Sequence, residues 1–239
     1  MQWNMINQTE YEKKAVEIKR SFTPIECGNG YMDLVIKVYK RSSENRFPDG
    51  GRMTANVLDQ LCIGDTLDIS GPHGHIQYLG LGEFSFFSSK KAFKTIGMIA
   101  GGSGITPMWQ LIQFVDSERK MLPLIRSKLP SIKLIYVNKT VPDILLREHL
   151  EEEGLIKRGT LSKITYVLSQ QKDSTPHEIL ENSFIYGKRI DRTILCENLP
   201  KPSNTTLILL CGPGTMVENI RKLLLSAELG HKDKNIQIF

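Results

Sequence analysis

Long hydrophobic runs are missing from this chain. Its apolar stretches, such as Leu207 to Cys211, are far shorter than the roughly 18 to 20 residues needed to cross hydrocarbon, so no membrane span is expected. The first thirty residues hold Lys13, Lys14, Lys19 and Arg20 with no apolar segment behind them, which is the pattern of neither a secretory signal nor a lipid anchor. The expected location is cytoplasmic, on the cytosolic face of a membrane if an N-terminal anchor is missing from this chain. Cysteine is scarce: Cys27, Cys62, Cys196 and Cys211 are scattered without CxxC spacing and are read as free thiols. No run of five or six basic residues occurs, and the pairs Lys13-Lys14, Lys90-Lys91 and Lys188-Arg189 are dispersed, so nucleic acid is not an expected partner. GxSxG is absent, which removes the main signal for an acyl hydrolase. His73 and His75 would share a face of an extended strand, but two ligands do not complete a zinc site and no metal is expected.

What is present is an ordinary globular composition: 239 residues, 40% hydrophobic and 24% charged, enough for two modest domains with packed cores. Lys and Arg exceed Asp and Glu, 31 against 26, and the net charge of +5 favours an acidic partner where those charges cluster. The first ninety residues read as short strands and turns. Asp33 to Lys40 alternates with β-branched residues, Thr66 to Ser70 alternates between Gly64-Asp65 and Gly71-Pro72, and Thr54 to Leu61 suits a short helix. This spacing predicts a small antiparallel barrel. Gly80 to Lys94 is rich in Gly, Ser and Lys and predicts a boundary, giving domains 1–93 and 94–239. Beyond it, Thr95 to Ala100, Ile132 to Val137, Ile164 to Leu168 and Thr206 to Cys211 read as strands buried on both faces, with Ile236 to Phe239 as a last edge strand. Helices are predicted over Pro107 to Arg119, Pro142 to Glu153 and Thr215 to Glu228. The last carries Met216, Ile220, Leu223, Leu224 and Ala227 at core spacing. Alternating strand and helix predicts a parallel α/β sheet.

Two turns in this half carry a chemical signal. Gly101-Gly102-Ser103-Gly104-Ile105-Thr106-Pro107 follows one apolar strand and opens a helix; Cys211-Gly212-Pro213-Gly214-Thr215-Met216 does the same after another. Glycines admit an anion to the unpaired N–H groups of a helix start, and the helix dipole favours negative charge, so a pyrophosphate is the natural ligand. The G-x-G-x-x-P spacing differs from the common dinucleotide fingerprint, and a tight strand-to-helix turn is the plain alternative. A pair of such ends on one sheet suits a dinucleotide at a switch point.

With these motifs in view, the chain resembles the NADH-cytochrome b5 reductase family, within the ferredoxin reductase-like flavoproteins, from about Lys19 to Phe239. The resemblance rests on Arg20-Ser21-Phe22-Thr23-Pro24, similar to the flavin motif R-x-Y-T/S-P, then Asp33 to Tyr39, Gly50-Gly51-Arg52-Met53-Thr54, Gly101 to Pro107, Asp143 to Arg147 and Cys211 to Met216. It implies a β plus α/β fold, an antiparallel Greek-key flavin-binding barrel followed by a Rossmann-like NAD(P)-binding domain. It implies FAD and NADH as cofactors, hydride transfer from nicotinamide to flavin, and single electrons passed to an acidic haem protein such as cytochrome b5. Arg20 is implied to bind the FAD pyrophosphate, Phe22 to lie beside the ring and Thr23 to hydrogen-bond it. Pro24, Val35 and Tyr39 are further implied cofactor contacts, and Gly50, Gly51, Arg52, Met53 and Thr54 the phosphate-facing turn. Thr106 is implied to touch the flavin from the second domain, and Lys37 to assist the nicotinamide nucleotide. Gly101, Gly102, Gly104, Pro107, Gly212, Pro213 and Met216 are implied around the nucleotide, with Cys211 near the nicotinamide and Phe239 as the terminal aromatic. Thr23, Lys37 and Cys211 are the implied catalytic set. For Cys211, a small buried core residue is the alternative.

Three departures qualify the carry-over. Only nineteen residues precede Arg20, so the barrel is expected to be incomplete at its start. Phe22 replaces the motif's tyrosine and lacks its hydroxyl. Ser169 stands where NADH-preferring relatives place an aspartate, which leaves NADPH open, with Lys172 or Lys188 as candidate partners for a 2′-phosphate. Two rival readings stay open: a non-catalytic nucleotide-binding remnant, and an NADPH-linked reductase with a ferredoxin-like or quinone acceptor.

Overall fold

A computed structural model describes residues 2–7, 17–41, 48–87, 89–171 and 184–239. It divides into two compact units, Met1–Gly74 and His75–Phe239.

In the first unit, β1 (Gln2–Asn7) is the middle strand of an antiparallel sheet, flanked by β2 (Ile18–Phe22) and by the later strand Asp68–His73. The register pairs Trp3 with Phe22 and Met5 with Arg20. Between them, β3 (Glu26–Gly28) and β4 (Tyr31–Asp33) form a hairpin whose tip is Asn29-Gly30. Gly30 has φ +85°, the left-handed geometry that a two-residue hairpin turn demands and glycine accepts without strain. β5 (Asp68–His73) completes the sheet on the far side of β1, with a register shift between Gln2 and Asn4.

Two expectations fail in this unit. The predicted strand from Asp33 to Lys40 stops at Asp33, because the backbone beyond it finds partners in a turn and not in a ladder: Tyr39 N–H donates to Thr54 Oγ1 at 3.3 Å, and Tyr39 C=O accepts from Gly51 N–H at 2.7 Å. The predicted helix from Thr54 to Leu61 is a series of turns with one 3-10 segment, Leu58–Gln60. Its bonds run from Ala55 and Asn56 both to Gly51, and from Leu58 to Met53, so no regular i to i−4 repeat is established. Buried Met53 and Val57 draw Ile18, Phe22, Leu34, Ile36, Leu58 and Leu67 around them.

The second unit begins with β6 (Ile76–Gly80), β7 (Glu83–Phe86) and β8 (Ser89–Ala92), an antiparallel sheet in that order. The Gly80 to Lys94 stretch, read in sequence as a boundary, is therefore mostly strand, and it packs with the later residues. Phe84 is fully buried against Phe86 and Phe93, Tyr78 meets Phe114 edge-on at 5.4 Å, and the Tyr78 hydroxyl donates to Glu118 Oε2 at 2.5 Å. Those contacts tie β6, β7 and β8 to the residues that follow them within the unit His75–Phe239.

The parallel sheet follows: β9 (Thr95–Gly101), helix α1 (Ile105–Met121), β10 (Ser131–Asn138), short helices α2 (Arg147–Leu150) and α3 (Glu153–Lys157), β11 (Leu161–Leu168), β12 (Phe184–Tyr186), α4 (Arg192–Asn198), β13 (Thr206–Cys211), α5 (Gly214–Leu224) and β14 (Ile236–Ile238). Its order is β12-β11-β10-β9-β13-β14 with every pair parallel. The chain moves outward from β9 to β12 and then returns to place β13 beside β9, so the order of connection reverses between those two strands. Ile99, Ile135, Val167, Ile208 and Leu210 on one face close on Ile194 and Leu195 of α4 and Val217, Ile220 and Leu224 of α5. Low on α1, buried Asp116 accepts from Arg158 twice at 2.8 Å and from Thr160 at 2.7 Å, and pairs with Lys120 at 2.9 Å. α1 starts two residues before the expected Pro107, and α5 ends at Leu224 where Glu228 was expected. The helix predicted over Pro142 to Glu153 is broken into pieces because Leu146 takes φ +57°, a left-handed conformation that a helix cannot continue through.

Candidate functional site

The N-terminal motifs converge within the first unit. Arg20 lies on β2, exposed, with Nη1 donating to Lys19 C=O at 2.6 Å. Phe22, at the end of the same strand, packs toward Met53. Thr23 is only 3% exposed and Pro24 is buried. The Thr23 hydroxyl has no hydrogen-bond partner, and a buried unpaired hydroxyl costs about 1 to 3 kcal/mol. An orphaned donor-acceptor at this position fits a cofactor ring edge such as that of FAD.

Val35, Lys37 and Tyr39 are half-buried along the strandless segment that leads to Gly50–Thr54. Gly50 has φ +80°, and a Cβ on Gly51 would stand 2.3 Å from Thr54 Oγ1, so neither position has room or geometry for another residue. Met53 is 2% exposed and acts as the unit's core anchor, whereas Arg52 is exposed at the turn. A glycine turn with an outward arginine is a donor set suited to phosphate.

In the second unit the two glycine turns meet. A Cβ on Gly104 would lie 2.4 Å from Cys211 C=O and 2.9 Å from Gly212 N; on Gly101 it would strike Met216 Cε at 2.7 Å and Pro213 Cδ at 3.0 Å. The backbones touch because β9 and β13 are neighbours, with Cys211 opposite Ala100. Their far side is open: nothing lies within 4 Å of a Cβ built on Gly102, at φ +53°, or on Gly214. Helix α1 is capped by Gly104 and α5 by Pro213, neither with a side-chain hydrogen bond, so their first N–H groups are not consumed by a side-chain cap. Open glycine turns above two such helix starts at a switch point fit a dinucleotide pyrophosphate. Thr106 is buried with its hydroxyl on Ser103 C=O at 3.2 Å, and Pro107 is buried beside it.

Cys211 is half-buried at the end of β13, and burial pushes its thiol up to about 11, so it is a neutral thiol at pH 7. Phe239 sits beside this strand end, its N–H donating to Leu210 C=O at 3.0 Å. Ser169 turns both its N–H and its hydroxyl toward Asn138 C=O, at 3.0 and 3.4 Å. Lys188 is exposed after β12, and Lys172 lies outside the described residues. His73 contacts Ser70, while His75 stacks on Phe87 at 5.0 Å. The four cysteines are free thiols.

Sequence reading overlooked two residues at this sheet edge. Asn138 is 6% exposed at the end of β10 with both side-chain amide atoms unpartnered, and fully buried Tyr136 bonds the Gly102 carbonyl. Their signal in sequence is weak, since a polar residue closing a strand is common.

Comparison with known proteins agrees with both halves. Residues 5–78 match the family model described as the oxidoreductase FAD-binding domain, and 98–222 the oxidoreductase NAD-binding domain. NADH-cytochrome b5 reductase 2 of Danio rerio is 34% identical over 229 residues, covering 92% of this chain and 68% of that protein. Nitrate reductase, NAD(P)H type, of Betula pendula is 36% identical over 222 residues, covering 90% of this chain and 22% of that protein. The chain thus spans about a fifth of the length of the Betula pendula and Oryza sativa nitrate reductases. Among solved structures, the cytochrome b5 reductase domain of Ulva prolifera nitrate reductase superposes with a TM-score of 0.79 at 29% identity, over 100% of this chain and 83% of that one. The antiparallel N-terminal region and the six-stranded parallel sheet form a ferredoxin reductase-like FAD- and NAD-binding fold, and the chain belongs to the NADH-cytochrome b5 reductase family of oxidoreductases.

Proposed function

We propose that this protein takes a hydride from NADH onto FAD and passes the electrons singly to an acidic haem protein of the cytochrome b5 kind. The observation that carries it is the backbone contact between the Gly101–Gly104 turn and Cys211-Gly212 at the β9/β13 switch point, beside two helix starts without side-chain caps.

FAD, when bound, accepts two electrons together and releases them one at a time. The chain's own groups bind and orient. Arg20 and the Gly50–Thr54 turn, with Arg52, neutralise the flavin pyrophosphate; Phe22 covers the ring beside Pro24; the Thr23 hydroxyl gains the partner it lacks. Val35, Lys37 and Tyr39 line the same approach, with Lys37 supplying charge to the nicotinamide nucleotide. Gly101, Gly102, Gly104 and Gly212, flanked by Pro107, Pro213 and Met216, admit the nucleotide pyrophosphate, and Thr106 contacts the flavin. Cys211 stays protonated and uncharged, so it walls the nicotinamide without competing as a nucleophile. Phe239 closes the end of β13. The flavin half runs to about residue 93 and the nicotinamide half from 94.

Ser169 carries no carboxylate to repel a 2′-phosphate, which supports use of NADPH beside NADH. The net charge of +5 supports an acidic acceptor. Free cysteines support a cytoplasmic setting, and no described helix is long and apolar enough to cross a membrane.

The test is direct. Purified protein should carry flavin absorbance, bleach on adding NADH under anaerobic conditions, and reduce cytochrome b5 catalytically. Protein that refolds with FAD yet shows no bleaching with NADH or NADPH refutes the reading in favour of a nucleotide-binding remnant.

A further inference from the structure

The ring of Tyr136 is fully buried on β10, packed 6.2 Å from the ring of Tyr166, and its hydroxyl sits between two segments at the carboxyl edge of the sheet. It donates to Gly102 C=O at 2.9 Å and accepts from Leu145 N–H at 3.2 Å. Each segment holds an unusual backbone. Gly102 is left-handed at φ +53° with open space above it, and Leu146, next to Leu145, is left-handed at φ +57° without the excuse of being glycine.

Geometry gives the first bond a consequence beyond packing. The Gly102 carbonyl and the Ser103 N–H belong to one planar peptide and point opposite ways. Holding the carbonyl down onto Tyr136 therefore aims the Ser103 N–H away from the sheet, on the side where Gly102 is open and Ser103 is exposed. The second bond gives Leu145 N–H an acceptor where its helical one, Val141 C=O, already takes Ile144 N–H at 3.0 Å.

We infer that Tyr136 is a positioning residue: its buried hydroxyl, with the Ile105 N–H that reaches the same Gly102 carbonyl, locks the Gly102–Ser103 peptide, and it holds the Leu145–Leu146 segment in the orientation that receives the nicotinamide nucleotide's pyrophosphate. This rests on the reading of the glycine turn as the pyrophosphate site.

Tyr136→Phe keeps the ring and removes the oxygen. The experiment titrates ADP-ribose, a redox-inert probe carrying the pyrophosphate, into the flavin-loaded protein by calorimetry. Amide hydrogen exchange over 101–106 and 144–147 and the NADH steady state are measured alongside. ADP-ribose affinity should fall about tenfold, with KM for NADH rising similarly, kcat changing less than about twofold, exchange faster in both segments, and flavin content unchanged. Wild-type affinity in a folded Tyr136→Phe protein overturns the inference, and faster exchange with unchanged affinity does so too, because the hydroxyl would then serve folding alone. Wild-type protein that does not bind ADP-ribose removes the nucleotide site itself and this inference with it, a result read before any variant is made.

Discussion

A methyl group at Gly104 tests the contact on which the nucleotide site depends. Gly104 has φ −64°, so alanine meets no backbone strain there, and the effect is purely steric. Its Cβ would approach Cys211 O to 2.4 Å, Cys211 C to 2.6 Å and Gly212 N to 2.9 Å, about 1 Å inside ordinary contact and against backbone that cannot rotate aside. One turn must retreat by roughly that distance. Overpacking of this kind costs about 1 to 3 kcal/mol, which for a protein of this size lowers Tm by about 2 to 12 °C. A displacement of about 1 Å at a binding constellation costs up to about a hundredfold in function. Gly214→Ala is the matched control for stability: it begins α5 with nothing within 4 Å of its Cβ, and alanine there should be neutral or stabilising by about 0.4 to 1 kcal/mol. Thermal melts of both variants and a nucleotide titration of Gly104→Ala decide the matter. If Gly104→Ala melts and binds like wild type, the two turns are not in contact and the argument for a shared pyrophosphate site collapses.

Three further outcomes are expected. Thr23→Val removes an unpartnered buried hydroxyl, so the flavin-free protein should melt no lower than wild type while FAD affinity drops about tenfold by equilibrium titration; a large loss of apoprotein stability would show that Thr23 already has a partner. Burial alone would raise the Asp116 carboxyl, but hydrogen bonds from Arg158, Lys120 and Thr160 outweigh it and hold it below the ordinary range. Its contribution is therefore present above the unfolded value of about 3.9 and lost as pH falls through the lower folded value. Asp116→Ala should cost about 3 kcal/mol in urea melts at pH 7, a deficit that shrinks below about pH 4, and a pH-independent difference would contradict it. Cys211, with its thiol pushed up to about 11, should alkylate with iodoacetamide far more slowly than exposed Cys27, Cys62 and Cys196 at pH 7.5, as read by peptide mass mapping; equal rates would count against the burial.

The parallel half was legible because strands buried on both faces must be continuously apolar, and the runs at Thr95, Ile132, Ile164 and Thr206 have no other use in a polar chain of this length. The glycine turns were legible for a similar reason: glycine directly after a buried strand and before a helix marks close approach. Where the reading failed, local pattern had been overruled by distant partners. Asp33 to Lys40 alternates like a strand, yet Tyr39 spends its backbone groups on Gly51 and Thr54. Composition is also silent on contacts within the Gly-, Ser- and Lys-rich stretch Gly80 to Lys94, where Phe84 and Phe93 bury their rings beside Tyr78, which reaches α1 through Glu118.

By itself, then, the sequence determined the order of the motifs, the apolar strands that carry them and the family, because each is written in residues close along the chain. Tertiary structure alone decided that β13 returns beside β9, that Gly104 rests on Cys211, and that Tyr136 reaches both Gly102 and Leu145. Those facts join residues far apart in number. They follow from strand order and side-chain reach, which no local pattern of residues encodes.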